Sequence, residues 1–197
     1  MVKPLLHRRE SIIHTTIDVM DEFGIQGVST REVARREGIS EGAIFKHFPK
    51  KCDLILGVLD HYAQYDEDII LSTKAKSDCI MERIQYFFNL YAEYYQNYPQ
   101  MITILQSYEG LIYDHVLEER IQSIMIFRRS FIYQLLIEAI HEKQISRSND
   151  VNNLTDIFFG TFRYKCLMWR YKKFGFSLKD EVLSAVNMII KLINKEE

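Results

Sequence analysis

The side chains best placed to do chemistry lie between Ser29 and Lys51, in the segment STREVARREGISEGAIFKHFPKK. Against three Glu, this segment holds six cations, namely Arg31, Arg35, Arg36, Lys46, Lys50 and Lys51. Lys and Arg bind phosphate oxygens, and the first N–H groups of a helix also bind anions. Because the whole chain has a net charge of −2, the basic excess is local. It predicts a small docking surface for a polyanion rather than binding over the whole molecule.

Two short helices are predicted to carry these cations. Ser29 with Glu32 three residues later is the pattern of a capping box, which starts a helix. Ser40 is a good N-cap for a second helix, and Pro49 requires that helix to stop. The segment therefore predicts two helices joined by a tight turn.

The turn itself is predicted from three spaced residues. Ala34 is small enough for two helices to cross closely, and Gly38 suits a positive φ. Ile44 is expected to face the core with Val33 and Ile39. This spacing is typical of a helix-turn-helix. It leaves an outer face made of Glu41, Gly42, Ala43, Phe45, Lys46 and His47.

Two interpretations of this spacing stay open on the residues alone. One is a DNA-binding helix-turn-helix. The other is a helical hairpin with solvated charges.

A longer stretch carries a resemblance to a known family. Preceded by FGIQG, the segment closely resembles the DNA-binding domain of the tetracycline-repressor (TetR) family, from about residue 8 to 56. The positions that match are the Phe-Gly pair at 23–24, Thr30, Val33, Ala34, Gly38, Ile39, Ser40, Gly42, the aromatic Phe45, His47, Phe48, Lys51 and Leu54.

The resemblance implies roles for the outer face. Thr30, Ser40, Phe45, His47 and Lys51 are expected near DNA phosphate, and Glu41, Ala43 and Lys46 nearer the base edges. The full predicted DNA-binding set is Thr30, Arg31, Ser40, Glu41, Gly42, Ala43, Phe45, Lys46, His47, Lys50 and Lys51.

Two positions depart from the family pattern. Phe45 stands where the family usually has Tyr, which removes a hydroxyl contact to phosphate. Glu37 stands where a small residue is usual, and the sequence does not explain it.

The rest of the chain predicts an all-α protein. Apolar residues recur at helical spacing almost throughout. We predict a first helix ending at Gly24, a fourth from Lys51 through DEDIIL, and a fifth capped by Asp78 and closed by Pro99. The later predicted helices are about 111–143, 151–174 and 178–194. The predicted domains are a helix-turn-helix domain over 1–50 and a helical ligand-binding and dimerisation domain over 51–197.

The fifth predicted helix is dense in aromatic residues. Phe87, Tyr91 and Tyr94 share one face, and a buried Tyr hydroxyl needs a hydrogen-bond partner. The predicted ligand pocket comprises Phe87, Tyr91, Tyr94, Met125, Phe158 and Phe162. The alternative is an ordinary solid core.

The last two predicted helices are expected to pair with a second copy of the chain, as the resemblance implies. The predicted dimer interface is Thr161, Lys165, Trp169, Val186, Ile189, Ile190 and Ile193. The same stripe could instead pack within one chain.

Other classes of function find little support. The six His show no H-E-x-x-H spacing, and no Gly-rich phosphate loop or G-x-S-x-G occurs. We therefore predict no enzyme activity, metal site or cofactor. We also predict no signal peptide and no membrane span. The three scattered Cys suit a reducing cytoplasm.

The expected function is a ligand-responsive transcriptional regulator. It is expected to be a homodimeric repressor that binds a pseudo-palindromic double-stranded operator and leaves it when a small apolar or amphipathic effector binds. The alternative is a ligand-independent DNA-binding structural or cell-division factor on the same fold. A helical lipid carrier that does not bind DNA is a third possibility, which the cations at 46–51 disfavour.

Overall fold

A computed structural model describes residues 8–193. The predicted helix end at Asn194 lies outside the described residues. Residues 1–7, on which the signal-peptide prediction partly depends, also lie outside them. Within residues 8–193 the chain forms helices and no β-strand. The helices are α1 (Arg8–Gly27), α2 (Thr30–Glu37), α3 (Glu41–Phe45), α4 (Lys51–Ala63), α5 (Asp66–Lys74), α6 (Ile80–Asn97), α7 (Met101–Leu111), α8 (His115–His141), α9 (Val151–Tyr171) and α10 (Leu178–Ile193).

The all-α prediction is confirmed, but two predicted helices are interrupted. The fourth breaks before α5, because the backbone of Tyr65 leaves the helical region at φ −99° and ψ 1°. The segment 111–143 breaks before α8. There Asp114 acts as an N-cap, and its Oδ1 accepts the N–H groups of Val116 at 3.0 Å and Leu117 at 3.3 Å.

The predicted cap at Asp78 is wrong. Helix α6 begins at Ile80, and the N–H of Ile80 donates instead to Oε1 of Gln144 at 3.2 Å. The N–H of Cys79 donates to Oγ of Ser77 at 3.1 Å. Neighbouring side chains therefore satisfy the free N–H groups that an Asp78 cap was expected to bind.

The chain divides into two units. The first contains the residues up to Gln64 together with Pro99–Ile124. Helix α1 packs there against α2, α4 and α7, and α2 packs against α3. Ile17, Met20, Val33, Ile44 and Leu54 are buried in this unit. The predicted domain division at residue 50 stays a prediction.

The second unit contains Tyr65–Tyr98 and the residues from Met125 onward. Helix α6 packs against α5 and α10, and α9 packs against α10. Its core is rich in aromatic rings. Phe88 stacks on Phe158 with ring centres 5.6 Å apart.

None of the helices in residues 8–193 is long and apolar enough to cross a membrane.

Candidate nucleic-acid interface and its supporting core

The turn between α2 and α3 depends on Gly38. Its φ of 65° and ψ of 33° are left-handed, as the sequence predicted. The N–H of Ile39 donates to the carbonyl of Ala34 at 3.1 Å, and the N–H of Gly38 donates to that of Arg35 at 3.3 Å. A Cβ at Gly38 would meet nothing within 4 Å. The requirement for glycine is therefore one of backbone conformation and not of space.

Both helices begin at the predicted serines. Oγ of Ser29 accepts the N–H of Glu32 at 3.1 Å, and Oγ of Ser40 accepts that of Ala43 at 3.2 Å. The Glu32 carboxylate binds arginines, as described below. Ile44 is fully buried. These contacts hold the outer face of α3 away from the core.

Glu37, which the sequence did not explain, joins α2 to α1. Its carboxylate accepts hydrogen bonds from the hydroxyls of Ser11, at 3.0 Å, and of Thr15. A small residue could not make these bonds. Glu37 therefore helps to fix the orientation of the helix-turn-helix on α1.

Two of the six cations, Arg35 and Arg36, form ion pairs with carboxylates of the first unit. Arg36 binds Glu22 through two hydrogen bonds of 2.7 Å and Glu32 through its Nε at 2.8 Å. Arg35 forms two further bonds to Glu32. The hydrogen bonds from Arg35 and then Arg36 lower the pKa of Glu32 to about 2. Arg35 and Arg36 therefore serve the structure of the domain.

The other four cations remain available. Arg31, Lys46, Lys50 and Lys51 are all exposed. Within the described residues, none of them lies in an ion pair. They account for the local positive charge that the sequence predicted.

All the predicted DNA-binding side chains are at least partly accessible. Thr30, Ala43 and His47 are half-buried, and the others are exposed. Phe45 presents 45% of its surface to solvent, which is unusual for a large apolar side chain. The hydroxyl of Thr30 donates to the Glu41 carboxylate, which joins the start of α2 to the start of α3.

The predicted ligand-pocket residues pack against aromatic rings in the second unit. Phe87 contacts Tyr91 at a ring-centre distance of 4.8 Å, and Phe162 contacts both Phe88 and Tyr95 at 5.6–5.7 Å. Phe158 is fully buried. Tyr94 contacts Tyr65 at 5.5 Å. These side chains therefore contribute to a packed aromatic core.

Met125 does not join that core. Half of its surface is exposed to solvent, and its place in a ligand pocket stays a prediction. The neighbouring α8 residues Ile126 and Phe127 are exposed as well.

A buried ion pair, which no local sequence pattern indicates, lies among the tyrosines. Asp66 accepts two hydrogen bonds from Arg128, from Nε at 2.7 Å and from Nη2 at 2.8 Å. The hydroxyl of Tyr91 donates to Asp66 at 2.8 Å, and Nη1 of Arg128 donates to the hydroxyl of Tyr95 at 3.2 Å. The hydroxyls of Tyr91 and Tyr95 therefore both find hydrogen-bond partners within the protein, as buried Tyr hydroxyls require.

Four of the seven predicted dimer-interface side chains are instead buried within the chain, namely Trp169, Val186, Ile190 and Ile193. The indole N–H of Trp169 donates to the carbonyl of Phe176 at 2.7 Å. The apolar stripe of α10 faces α6 and α9. These four assignments are wrong, because packing within the chain already covers the stripe.

The other three predicted interface residues are half-buried: Thr161, Lys165 and Ile189. Lys165 forms an ion pair of 2.5 Å with Glu181.

A different face of α9 and α10 is apolar and exposed. Its residues are Ile157, Tyr164, Leu167, Tyr171, Met188 and Leu192. Gly160 lies on the same face of α9, and a Cβ there would meet nothing within 4 Å. We call these residues, with Gly160, the α9–α10 face.

A cleft of about 340 Å³ opens in the first unit, away from the predicted pocket residues. It lies between the ends of α1 and α7 and the beginnings of α4 and α8. We call it the α4–α8 cleft. Its lining is Ile25, Gln26, Lys51, Cys52, Ile55, Gly110, Leu111, Tyr113, Asp114 and Leu117.

Comparison with known proteins places this geometry in a family. Residues 12–58 match the family model of bacterial regulatory proteins, tetR family. A nucleoid occlusion factor SlmA from Actinobacillus pleuropneumoniae serotype 5b (strain L20) is 23% identical over 120 residues. That match covers 60% of this chain and 59% of the relative.

Two solved structures share the fold over nearly the whole chain. The fatty acid degradation regulator FadR from Bacillus halodurans has a TM-score of 0.82 at 16% identity, covering 96% of this chain and 97% of its own. The transcriptional regulator FadR from Bacillus subtilis, in complex with stearoyl-CoA, has a TM-score of 0.83 at 18% identity. The match covers 95% of this chain and all of the FadR chain.

The matched segment contains α2, the Gly38 turn and α3, and the remaining helices follow the fold of these regulators. The resemblance read from the sequence is therefore confirmed: residues 12–58 match the tetR family of bacterial regulatory proteins, and the whole chain has the fold of such regulators.

Proposed function

We propose that this protein is a cytoplasmic, homodimeric transcriptional regulator. It acts as a repressor that binds a pseudo-palindromic operator and leaves it when a small apolar or amphipathic ligand binds. The observation that carries this proposal is a set of exposed cations around the helix-turn-helix that form no ion pair with any described residue, namely Arg31, Lys46, Lys50 and Lys51.

DNA recognition follows from the position of each group. The exposed side chains of α3 enter a major groove, where Lys46 reaches base edges. Lys50 and Lys51, at the start of α4, bind the phosphate backbone beside that groove. Phe45 lacks the hydroxyl that a Tyr would offer to phosphate. Its ring is instead expected to contact an apolar part of the DNA backbone.

Lys51→Ala tests the DNA-binding part of this proposal. An operator is first selected from random duplex DNA. The affinity of the protein for this operator is then measured by fluorescence anisotropy between about 50 and 200 mM salt. Over this range, salt strongly lowers the affinity of proteins that contact several phosphates. Loss of one phosphate contact is expected to weaken all sequences alike and to lower the slope of log K against log salt by about one unit.

The control is Arg147→Ala, which removes an exposed loop cation from the second unit. It is expected to leave the slope unchanged. An unaltered slope in Lys51→Ala would remove Lys51 from the set of phosphate contacts.

Dimerisation is proposed through the α9–α10 face. Exposed apolar side chains such as Tyr171 and Leu192, at 75% and 78% exposure, favour contact with a second copy. Glycine within a helix costs about 1 kcal/mol relative to Ala, and no neighbour within the chain requires it at position 160. A partner helix approaching closely at Gly160 would account for both features.

Gly160→Gln separates folding from dimerisation. Gln is the better helix former, so the helical content and the stability of each chain should be unchanged or raised. Its side chain should nevertheless hold the partner helix away and shift the protein to monomer in analytical ultracentrifugation.

Ser123→Gln, at an exposed α8 position in the first unit, is the control and should stay dimeric. A fully dimeric Gly160→Gln protein would place the interface elsewhere.

Ligand response is supported by the fold shared with a FadR that was solved with stearoyl-CoA. The second candidate function is a ligand-independent DNA-binding factor in cell division, which the similarity to nucleoid occlusion factors favours. Adding stearoyl-CoA to the operator complex separates the two, since only the ligand-responsive protein should release DNA.

A further inference from the structure

The α4–α8 cleft combines an apolar floor with a polar rim. Ile55, Leu111 and Leu117 are buried and form the floor. Lys51 is exposed at the rim, and Tyr113, with 90% of its surface in solvent, stands beside the opening. A molecule with one apolar and one polar end would match this distribution.

The charges at the cleft leave Lys51 as the group able to recognise a ligand. Asp114 is engaged, because its carboxylate accepts the first N–H groups of α8 and the Cys52 thiol at 3.6 Å. Burial, and then the charge of Asp114, raise the pKa of the Cys52 thiol, so this group stays neutral. Gln26 is uncharged. Lys51 has no ion-pair partner among the described residues and can bind an anion.

The position of the cleft links it to DNA binding through Lys51. Lys51 is also the side chain proposed to bind operator phosphate. The body of α4 is held against the first turns of α8 by the ion pair of Asp60 with Arg120 at 2.8 Å. No ion pair within residues 8–193 holds the Lys51 side chain, which can therefore turn towards operator phosphate or towards an anion in the cleft.

We propose that the α4–α8 cleft binds a small amphipathic carboxylate, with its alkyl chain on the Ile55, Leu111 and Leu117 floor and its carboxylate on Lys51. The bound acid competes with DNA phosphate for the Lys51 ammonium and so weakens operator binding. The competition, though not the binding site, rests on the proposed function.

The size of the cleft sets the size of the ligand. At about 30 Å³ for each water-sized group, the volume of about 340 Å³ holds roughly ten non-hydrogen atoms. Octanoate has this size and offers both ends of the required chemistry.

The test is a titration of the full chain with octanoate, followed by NMR of protein labelled at the Ile methyl groups. The methyl signals of Ile25, on the wall of the cleft, and of Ile55, on its floor, should shift and saturate. Those of Ile190 and Ile193, buried in α10, should not. Because no DNA is needed, failure of the proposed function would leave this result intact.

Two comparisons test the role of charge. Lys51→Met, which keeps the length of the apolar stem, should lower octanoate affinity about tenfold, since hydrogen bonds between charged groups are the strong ones. Octanol, which has the same chain without the charge, should bind wild-type protein about tenfold more weakly than octanoate. Equal binding of the two, or no shift at Ile25 and Ile55, would overturn the proposed site.

Operator binding is then measured in anisotropy with and without octanoate. Wild-type protein should lose affinity as the cleft fills. Gln26→Trp, which places a large ring at an exposed position on the cleft wall, should bind operator normally and no longer respond to octanoate. Unchanged operator affinity at saturating octanoate would overturn the competition.

Discussion

Replacing Arg128 with Met is expected to destabilise the protein by about 3–5 kcal/mol, because it leaves the buried Asp66 carboxylate without its cation. Asp66 and Arg128 are only 4% and 8% exposed, so water cannot compensate for the lost partner. The remaining bond, from the Tyr91 hydroxyl at 2.8 Å, carries no charge. Domains of this size are stable by about 5–15 kcal/mol in total, so the loss is large. Urea unfolding followed by circular dichroism measures it.

The double variant Asp66→Leu with Arg128→Met provides the control. Removing both charges leaves no unpaired ion, and the stability should return to within about 1–2 kcal/mol of wild type. If Arg128→Met costs less than about 1 kcal/mol, the ion pair is not an important support of the second unit.

Gly38→Val is expected to abolish specific operator binding. A β-branched residue is strongly disfavoured at φ 65°, and a left-handed L-residue already costs about 1–2 kcal/mol. The turn should reorganise and move α3 relative to α2. Because specific binding exceeds non-specific binding by about 10³-fold or more, the operator affinity should fall by at least that factor.

Gly38→Asn is the matched control for the turn. Asn tolerates the left-handed region far better than Val, and no neighbour lies within 4 Å of the added Cβ. This variant should retain most of the operator affinity, whereas a steric requirement would disable both variants. Gel filtration should give both variants the elution volume of the wild-type protein, and normal operator binding by Gly38→Val would contradict the described turn.

Local interactions made much of the fold predictable. The Ser29 and Ser40 caps, the Gly38 turn and the end of α6 before Pro99 each depend on residues a few positions apart. The same holds for the accessibility of the predicted DNA-binding side chains, because alternation between core and outer face follows from helical periodicity. The break before α8 was equally local, since Asp114 is a recognisable N-cap, but the long apolar pattern of 111–143 obscured it.

The sequence by itself determined an all-α chain with a helix-turn-helix and a local basic surface, because caps, turns and periodicity are encoded by near neighbours. Only the tertiary structure decided which cations stay available, since Arg36 is occupied by Glu22 fourteen residues away. It also paired Asp66 with Arg128 across 62 residues and buried the α10 stripe against α6 and α9. These outcomes depend on which helix faces meet, and a helix that is apolar on one side does not specify its neighbour.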